Sequence, residues 1–193
     1  MKDLSGKGEQ MDNGEKNYRR FLDGDSDALA ELIKEYKDGL TFYLAGFVKN
    51  LETAEELTQD TFVKLYVKKP KFSGRSGFKT FLYSIGRHTA LDYIRKHKKD
   101  TLDCDFDENS GEYISAENGY FKTERNIDLF NAMKSLKSDH YRVLWLTYFE
   151  NLSNKETAAL MKKSLGSTQV LLTRARAALK AELEKEGITD ENL

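Results

Sequence analysis

SNKETAALMKKSLGSTQVLLTRARAALKAEL, residues 153–183, is the stretch that decides the fold. It opens with a capping box, because Ser153 and Glu156 can satisfy each other's free amide hydrogens at a helix start. Residues 162–164 break the apolar periodicity, and a longer helix with basic residues follows. The predicted buried face of that helix consists of Thr168, Leu172, Ala175 and Leu179. This order of helices is typical of a helix-turn-helix, although an ordinary helical hairpin would produce the same pattern.

The second helix of this pair carries the candidate DNA-reading residues. In a helix-turn-helix, the N-terminal part of the second helix enters the major groove. Glutamine there suits adenine, arginine suits guanine or phosphate, and small apolar groups suit the thymine methyl. The residues at that end of the helix are Ser164, Ser167, Gln169, Val170, Thr173, Arg174 and Arg176.

Two amphipathic helices are predicted in the first third of the chain. The first contains apolar positions at helical spacing over residues 29–47, and Asp25 or Ser26 can cap it. Thr53 and Glu56 predict a capping box for the second. The residues expected to point inward from the second helix are Leu57, Thr61, Phe62, Leu65 and Tyr66.

A Gly/Ser loop over residues 73–77 then leads into a third helix, which ends in the basic run 95–99. Its expected inward residues are Phe78, Phe81, Leu82, Ile85, Thr89 and Tyr93. Further helical periodicity begins near Glu124, with Ser138 as a candidate cap. Because no segment alternates with period two, we predict an all-α protein made of two small helical bundles.

The charge is distributed unevenly along the chain. The formal net charge is −1 over 193 residues, but residues 100–128 alone carry about −7, so the remainder is basic. Periodicity is absent from Thr101 to Thr123, and that composition predicts a flexible linker that protease cuts first, leaving two stable helical fragments. The expected organisation is a polar tail 1–16, a bundle 17–100, an acidic linker 101–123, a bundle 124–185 and a tail 186–193.

Several classes of protein do not fit this sequence. The single cysteine, Cys104, cannot form an internal disulfide, and the three histidines lack metal-ligand spacing. There is no phosphate-binding loop after a strand and no nucleophile–base arrangement, so we expect no enzyme activity, metal, cofactor or small-molecule substrate. No apolar run reaches the length of a membrane span, and the N-terminus does not resemble a signal peptide, so a cytoplasmic protein is expected.

Two further surfaces allow a functional and a structural interpretation. The stripe of Glu52, Glu55, Glu56, Gln59 and Asp60 can face a basic partner, or it can be a solvated helix face near its N-terminus. The aromatic and basic residues over 72–99 can stack unpaired bases and hold phosphates. They can equally be core residues followed by a basic helix end, which the helical spacing also supports.

Three segments in this order resemble the extracytoplasmic-function sigma factors, the smallest group of the major bacterial sigma family. AEELTQDTFVKLY, residues 54–66, is similar to their region two-point-two. FSGRSGFKTFLYSIGRHTALDYIR, residues 72–95, is similar to regions two-point-three and two-point-four. The segment from Tyr148 to Arg176 resembles region four. The resemblance implies an alternative sigma factor that binds core RNA polymerase and directs promoter-specific initiation.

The resemblance also implies a role for individual residues. The residues that it implies for docking on the clamp helices of the largest polymerase subunit are Glu55, Glu56, Gln59, Asp60 and Lys64. The residues that it implies for recognition of the −10 promoter element are Arg75, Lys79, Tyr83, Arg87, His88, Asp92, Arg95 and Lys96. Reading of the −35 element falls to the helix-turn-helix residues given above. The polymerase flap is a further expected contact, and an anti-sigma factor that holds the protein at the membrane is an expected partner.

The sequence departs from that family pattern at a few positions. Phe81 stands where the family often has tryptophan, and His88 stands where it often has asparagine. Residues 162–163 are Lys-Lys in place of the usual Gly-Ile, and residues 170–171 are Val-Leu in place of Ser-Arg. Two other functions remain open from the residues alone: an ordinary helix-turn-helix transcriptional regulator, and a helical adaptor that binds a protein through its acidic stripe.

Overall fold

The computed structural model describes residues 12–97, 124–185 and 187–188, and every regular element in those ranges is a helix. This confirms the all-α prediction. The N-terminal bundle contains α1 (Asn13–Leu22), α2 (Ser26–Val48), α3 (Leu51–Lys68) and α4 (Phe78–Lys96). The C-terminal bundle contains α5 (Glu124–Lys134), α6 (Ser138–Leu144) with a π-helical turn at Trp145–Phe149, α7 (Asn154–Met161) and α8 (Leu165–Lys185). The expected linker Thr101–Thr123 lies outside the described residues.

The predicted helix starts are partly correct. Asp25 caps α2, and the Ser153–Glu156 capping box opens α7, as predicted. The Thr53 box is wrong, because the Asn50 side chain accepts the Thr53 amide at 2.7 Å and α3 begins one turn earlier. Ser138 is not a cap either, since it is the first helical residue of α6.

Helix α1 begins within the stretch that was expected to be a polar tail. The Asp12 carboxylate accepts the Glu15 amide at 2.7 Å and the Phe78 amide at 3.1 Å, so one side chain caps both α1 and α4. Tyr18 is buried, and its hydroxyl donates to the Pro70 carbonyl at 2.7 Å. These long-range contacts tie α1 to the loop before α4, which a short polar sequence does not reveal.

Asp12 therefore supports a specific prediction about stability. We expect Asp12→Ala to lower the free energy of unfolding by about 1–2 kcal/mol, because it leaves two helix N-termini without a side-chain acceptor. Chemical denaturation should measure the loss. Asp23→Ala serves as the control, because the Asp23 side chain caps neither helix start. An equal effect of the two substitutions would contradict the double capping role.

Helix α2 is the centre of the N-terminal bundle. Tyr43 of α2 stacks on Tyr83 of α4 with ring centroids 5.3 Å apart, and burial raises the pKa of Tyr43 to about 12. The Thr41 hydroxyl lies 3.0 Å from the Thr58 hydroxyl and joins α2 to α3. Because α3 and α4 both pack on α2, their outer faces are held in fixed relation to each other.

The C-terminal bundle packs directly on the second half of α2. Trp145 donates its indole N–H to the Gly39 carbonyl at 3.1 Å, and Tyr141 donates its hydroxyl to the Phe42 carbonyl at 3.1 Å. The Phe42 ring lies 5.1 Å from Trp145 and 5.2 Å from Phe130. The two predicted bundles are present, and in the described structure they pack against each other, because aromatic residues of both form one continuous core.

Candidate functional site

The helix-turn-helix is formed by α7 and α8. Helix α7 ends at Met161, and the left-handed φ of 54° at the next residue, Lys162, reverses the chain. Helix α8 then begins at Leu165. Ser164 lies in the turn, where its hydroxyl accepts the Ser167 amide at 3.1 Å. The first two residues of the proposed −35 set therefore bond to each other at the start of α8, where they fix the first turn of the helix.

The two faces of α8 agree with the predicted periodicity. Thr168, Leu172, Ala175 and Leu179 are buried, which confirms the predicted inner face, and Leu183 extends it. Arg176 lies 5.5 Å over the Tyr148 ring, which holds the guanidinium beside the outer face of α8. The remaining candidates on the outer face of α8 are all exposed: Gln169, Val170, Thr173 and Arg174.

Most of the proposed −10 residues lie on exposed parts of α4 and its preceding loop. Arg75 is exposed in the loop, Arg87 is half-buried, and His88 is exposed. Asp92 and Arg95 form an ion pair one turn apart, near the exposed Lys96. Three basic residues of this set, Arg87, Arg95 and Lys96, thus lie along the C-terminal half of α4.

Two members of the −10 set are not available in this arrangement. Tyr83 is completely buried against α2, so the prediction that it faces DNA does not agree with the structure. Lys79 forms an ion pair with Glu150 of the C-terminal bundle at 2.9 Å. Gly86 and Ala90 follow Tyr83 at helical spacing, and such small residues on one face of α4 indicate that it packs closely on another helix. A Cβ on Gly86 would lie only 2.9 Å from Leu40 of α2. This signal in the sequence could have shown that Tyr83 is buried.

The acidic stripe on α3 is exposed for most of its length. Glu56, Gln59 and Asp60 are exposed, whereas Glu55 is partly buried and pairs with Lys37 of α2 at 3.1 Å. Lys64 points toward α4 and donates to the Thr89 hydroxyl at 2.9 Å. The structure therefore separates the five proposed docking residues into three that face solvent and two that also bind neighbouring helices.

An apolar groove of about 310 Å³ lies between α2 and α3, beside the acidic stripe. Tyr66 was expected to point inward, but it is 57% exposed, and Val63 and Val67 next to it are 56% and 69% exposed. This surface was not predicted, because Tyr66 was assigned to the inward face of α3. The groove is lined by Leu29, Ile33, Lys37, Thr58, Gln59, Phe62, Val63 and Tyr66.

Neither a metal-binding cluster nor a membrane-spanning helix is found in the part of the chain that the structure describes. No group of three or more His, Cys, Asp or Glu side chains there could hold a metal ion. None of the described helices combines the length and apolar character required to span a membrane.

The sequence matches two family descriptions that correspond to the two bundles. Residues 32–100 match "Sigma-70 region 2", and residues 127–179 match "Sigma-70, region 4". The fold and the matched regions therefore define the class of bacterial sigma factors. Sigma factors are non-enzymatic initiation factors that bind core RNA polymerase and promoter DNA.

Individual relatives show which group of sigma factors the sequence is similar to. The chain is 32% identical to RNA polymerase sigma factor YlaC of Bacillus subtilis over 163 residues, covering 82% of this chain and 94% of the relative. It is 29% identical to ECF RNA polymerase sigma factor SigM of the same organism, with coverage of 83% and 98%. The protein belongs to the extracytoplasmic-function group of RNA polymerase sigma factors. It is an alternative sigma factor that directs transcription initiation.

Two solved structures share the fold. CnrH, in complex with the cytosolic domain of CnrY, is similar with a TM-score of 0.64 and 20% identity, covering 90% of this chain and 99% of that chain. The sigma factor RpoE of Bartonella quintana, in complex with the anti-sigma factor NepR, has a TM-score of 0.63 and 22% identity, with coverage of 80% and 96%. At these identities the likeness supports the fold alone.

Proposed function

We propose that three exposed surfaces of the protein each have a separate role in transcription initiation. Helix α3 and the neighbouring groove bind core polymerase, the loop 72–77 and α4 read the −10 element, and α8 reads the −35 element. The observation that carries this proposal is that the outer face of α8 is exposed while its inner face is buried in the bundle. A recognition helix must present a polar face without losing its packing.

The docking surface combines acidic residues with an apolar groove. Val63 and Tyr66 expose large apolar side chains at the groove, which is a common property of protein-binding sites. Gln59 is part of its lining, and the exposed carboxylates of Glu56 and Asp60 lie on the same helix. The charges would steer a basic partner to the site, and the apolar groove would supply most of the buried area.

Helix α4 suits the handling of a melted −10 strand. Arg87, Arg95 and Lys96 offer cations to phosphates along one helix, and His88 offers ring nitrogens to a base edge. Unstacking a base costs a few kcal/mol, which phosphate contacts and a pocket can offset. Arg75 in the preceding loop extends this positive surface toward the N-terminal end of α4.

The −35 surface leads to a prediction with two contrasting variants. We expect Gln169→Ala to change which −35 variants are used, with a cost of about 1–3 kcal/mol at one base position. Arg176→Ala should lower transcription from all variants similarly and flatten the log–log salt dependence by about one unit, because one phosphate contact is lost. Transcription from a library of −35 sequences measures both. An unchanged ranking with Gln169→Ala would contradict this orientation of α8.

An anti-sigma partner and a location follow from the same proposal. The two solved structures with this fold are complexes, one of CnrH with the cytosolic domain of CnrY and one of RpoE with the anti-sigma factor NepR. We infer a comparable partner for this protein, and the exposed apolar residues Leu165 and Val170 on α8 are candidate contacts. Because core polymerase works in the cytoplasm, the protein acts there, and an anti-sigma factor anchored at the membrane would hold it inactive nearby.

Run-off transcription with purified core polymerase and genomic fragments tests the proposed function. The protein should bind core polymerase and should start transcripts at defined sites that core alone does not use. Tight, sequence-specific binding to duplex DNA by the free protein, without core binding, would instead indicate an ordinary regulator.

A further inference from the structure

The loop 70–77 between α3 and α4 has no main-chain framework of its own. In the described structure, no hydrogen bond joins two main-chain groups within residues 70–77. Gly74 has a φ of 70°, and residues 73–76 are all exposed. Such a segment can adopt many conformations, so contacts from outside the loop must select one of them.

Helix α4, which follows the loop, is not capped by its own N-cap residue. That residue is Gly77, which has no side chain to accept a main-chain amide hydrogen. The acceptor comes instead from Asp12, 66 residues away in the chain, whose Oδ2 accepts the Phe78 amide at 3.1 Å. The Oδ1 of the same carboxylate accepts the Glu15 amide at 2.7 Å and caps α1. One carboxylate therefore fixes the start of α4 relative to the start of α1.

The other end of the loop is held by the same helix. Tyr18 of α1 is buried, and its hydroxyl donates to the Pro70 carbonyl at 2.7 Å. The centroid of the Tyr18 ring lies 5.2 Å from that of Phe78. Gly14 allows α1 to approach this closely, because a Cβ there would lie 2.6 Å from the Phe78 ring. Helix α1 thus contacts the chain both where the loop begins and where it ends.

We propose that α1 is a positioning element of the −10 surface and that Asp12 and Tyr18 are its positioning residues. They hold the loop that carries Arg75 and leads into α4, the two parts of the −10 surface. Because the loop is already held before DNA binds, less binding free energy is lost in ordering it. This inference rests on the proposed function. Helix α1 precedes residues 32–100, the range that corresponds to region 2, so its role does not follow from that correspondence.

Asp12→Asn tests the link between α1 and α4. The carboxylate provides a separate oxygen for each helix, whereas a carboxamide has one acceptor oxygen and an NH₂ group that only donates, so Asn cannot cap both helices. The substitution also removes a negative charge. That change alone would strengthen binding to DNA, so weaker binding cannot be an effect of charge. Asp23→Asn is the charge-matched control, because Asp23 lies at the C-terminal end of α1.

Tyr18→Phe tests the link at the beginning of the loop. It removes the hydroxyl that donates to the Pro70 carbonyl and keeps the aromatic ring. Tyr43→Phe is the matched control, because Tyr43 is equally buried in the N-terminal bundle and its hydroxyl has no hydrogen-bond partner among the described residues. Every variant should keep its helix content by circular dichroism, and each is measured well below its unfolding temperature.

Trypsin cleavage after Arg75 measures the mobility of the loop in the free protein. Arg75 is exposed, so the cleavage rate depends on how readily the loop leaves its folded conformation. Asp12→Asn and Tyr18→Phe should each speed cleavage at this site by about three- to tenfold, the effect of one lost hydrogen bond. Both controls should match the wild type. Wild-type cleavage rates in Asp12→Asn and Tyr18→Phe would show that α1 does not hold the loop.

Binding of labelled single-stranded oligonucleotides to the complex of the protein with core polymerase tests the role of the held loop. One oligonucleotide carries the −10 sequence of a promoter mapped by run-off transcription, and the reference is a scrambled sequence of the same length. Asp12→Asn and Tyr18→Phe should weaken −10 binding by about three- to tenfold and leave binding of the scrambled sequence unchanged, because the phosphate contacts along α4 remain. Full −10 affinity, or an equal loss for both oligonucleotides, would overturn the positioning role.

Run-off transcription separates this proposal from the proposed function. If the wild type starts transcripts at defined sites, Asp12→Asn and Tyr18→Phe should use the same sites with a lower yield at limiting DNA, and both controls should equal the wild type. Full yield from both variants would contradict a role of α1 in −10 recognition. Absence of transcript from the wild type would contradict the proposed function and the −10 role together, and trypsin cleavage would still decide whether α1 holds the loop.

Discussion

Gln59→Lys combined with Asp60→Lys should weaken binding to core polymerase by about 100-fold. Both side chains are exposed on α3, so the substitutions leave the bundle core unchanged. Placing positive charge against a basic partner surface replaces attraction with repulsion, and like-charge juxtaposition costs several kcal/mol, where 1.4 kcal/mol is tenfold. Competition between labelled wild type and each variant for purified core polymerase measures the effect.

Two further variants make this docking experiment decisive. Ala181→Lys adds positive charge on an exposed position of α8, and it should leave core affinity within about twofold. Tyr66→Ser removes the aromatic side chain from the apolar groove, and it should weaken core binding without any change in charge. Full core affinity in both the double-lysine variant and Tyr66→Ser would rule out α3 as the docking surface.

Phe42→Ala should lower the free energy of unfolding by about 3–5 kcal/mol, the range for removal of a buried aromatic ring. Phe42 is buried on α2, where it touches Trp145 and Phe130 of the C-terminal bundle. Because the core is shared, Trp145 emission and circular dichroism at a helical wavelength should report the same transition in the wild type.

The control for this stability experiment is Val63→Ala, since Val63 is 56% exposed and its truncation should change stability by about 0.5 kcal/mol or less. Phe42→Ala should in addition separate the two spectroscopic transitions, because the N-terminal bundle keeps α3 and α4 on α2 while the C-terminal bundle loses a central contact. A wild type that already unfolds in two separate steps would contradict the shared core.

Local signals in the sequence predicted much of the fold. The capping box at Ser153 and Glu156 located the start of α7, and the spacing from Thr168 to Leu179 identified the buried face of α8. These signals are reliable because a helix start and a helix face are set by residues within a few positions of one another. The start of α3 was missed, since Asn50 and Thr53 are both good caps and the choice between them depends on packing.

The candidate surfaces were predictable in composition but not in full geometry. The outer face of α8 and the exposed acids of α3 agree with the helical spacing. Tyr83 and Tyr66 were assigned to the wrong environments, because an amphipathic aromatic residue fits either a core or a surface position. Which of the two applies depends on the neighbouring helix, as with Tyr43 stacked on Tyr83.

The sequence by itself determined that this protein is helical, because periodicity and caps are properties of short segments. The resemblance of its motifs, in their order, to a known family indicated a sigma factor with a helix-turn-helix. Only the tertiary structure decided that the two bundles share a core, that an apolar groove borders the acidic stripe, and that Glu150 binds Lys79. Lys79 and Glu150 are 71 residues apart in the chain, and each is an ordinary surface-type charge when considered alone. Gly46 likewise allows α6 to approach α2 closely, and no local pattern in either segment indicates which distant partner will fill that space.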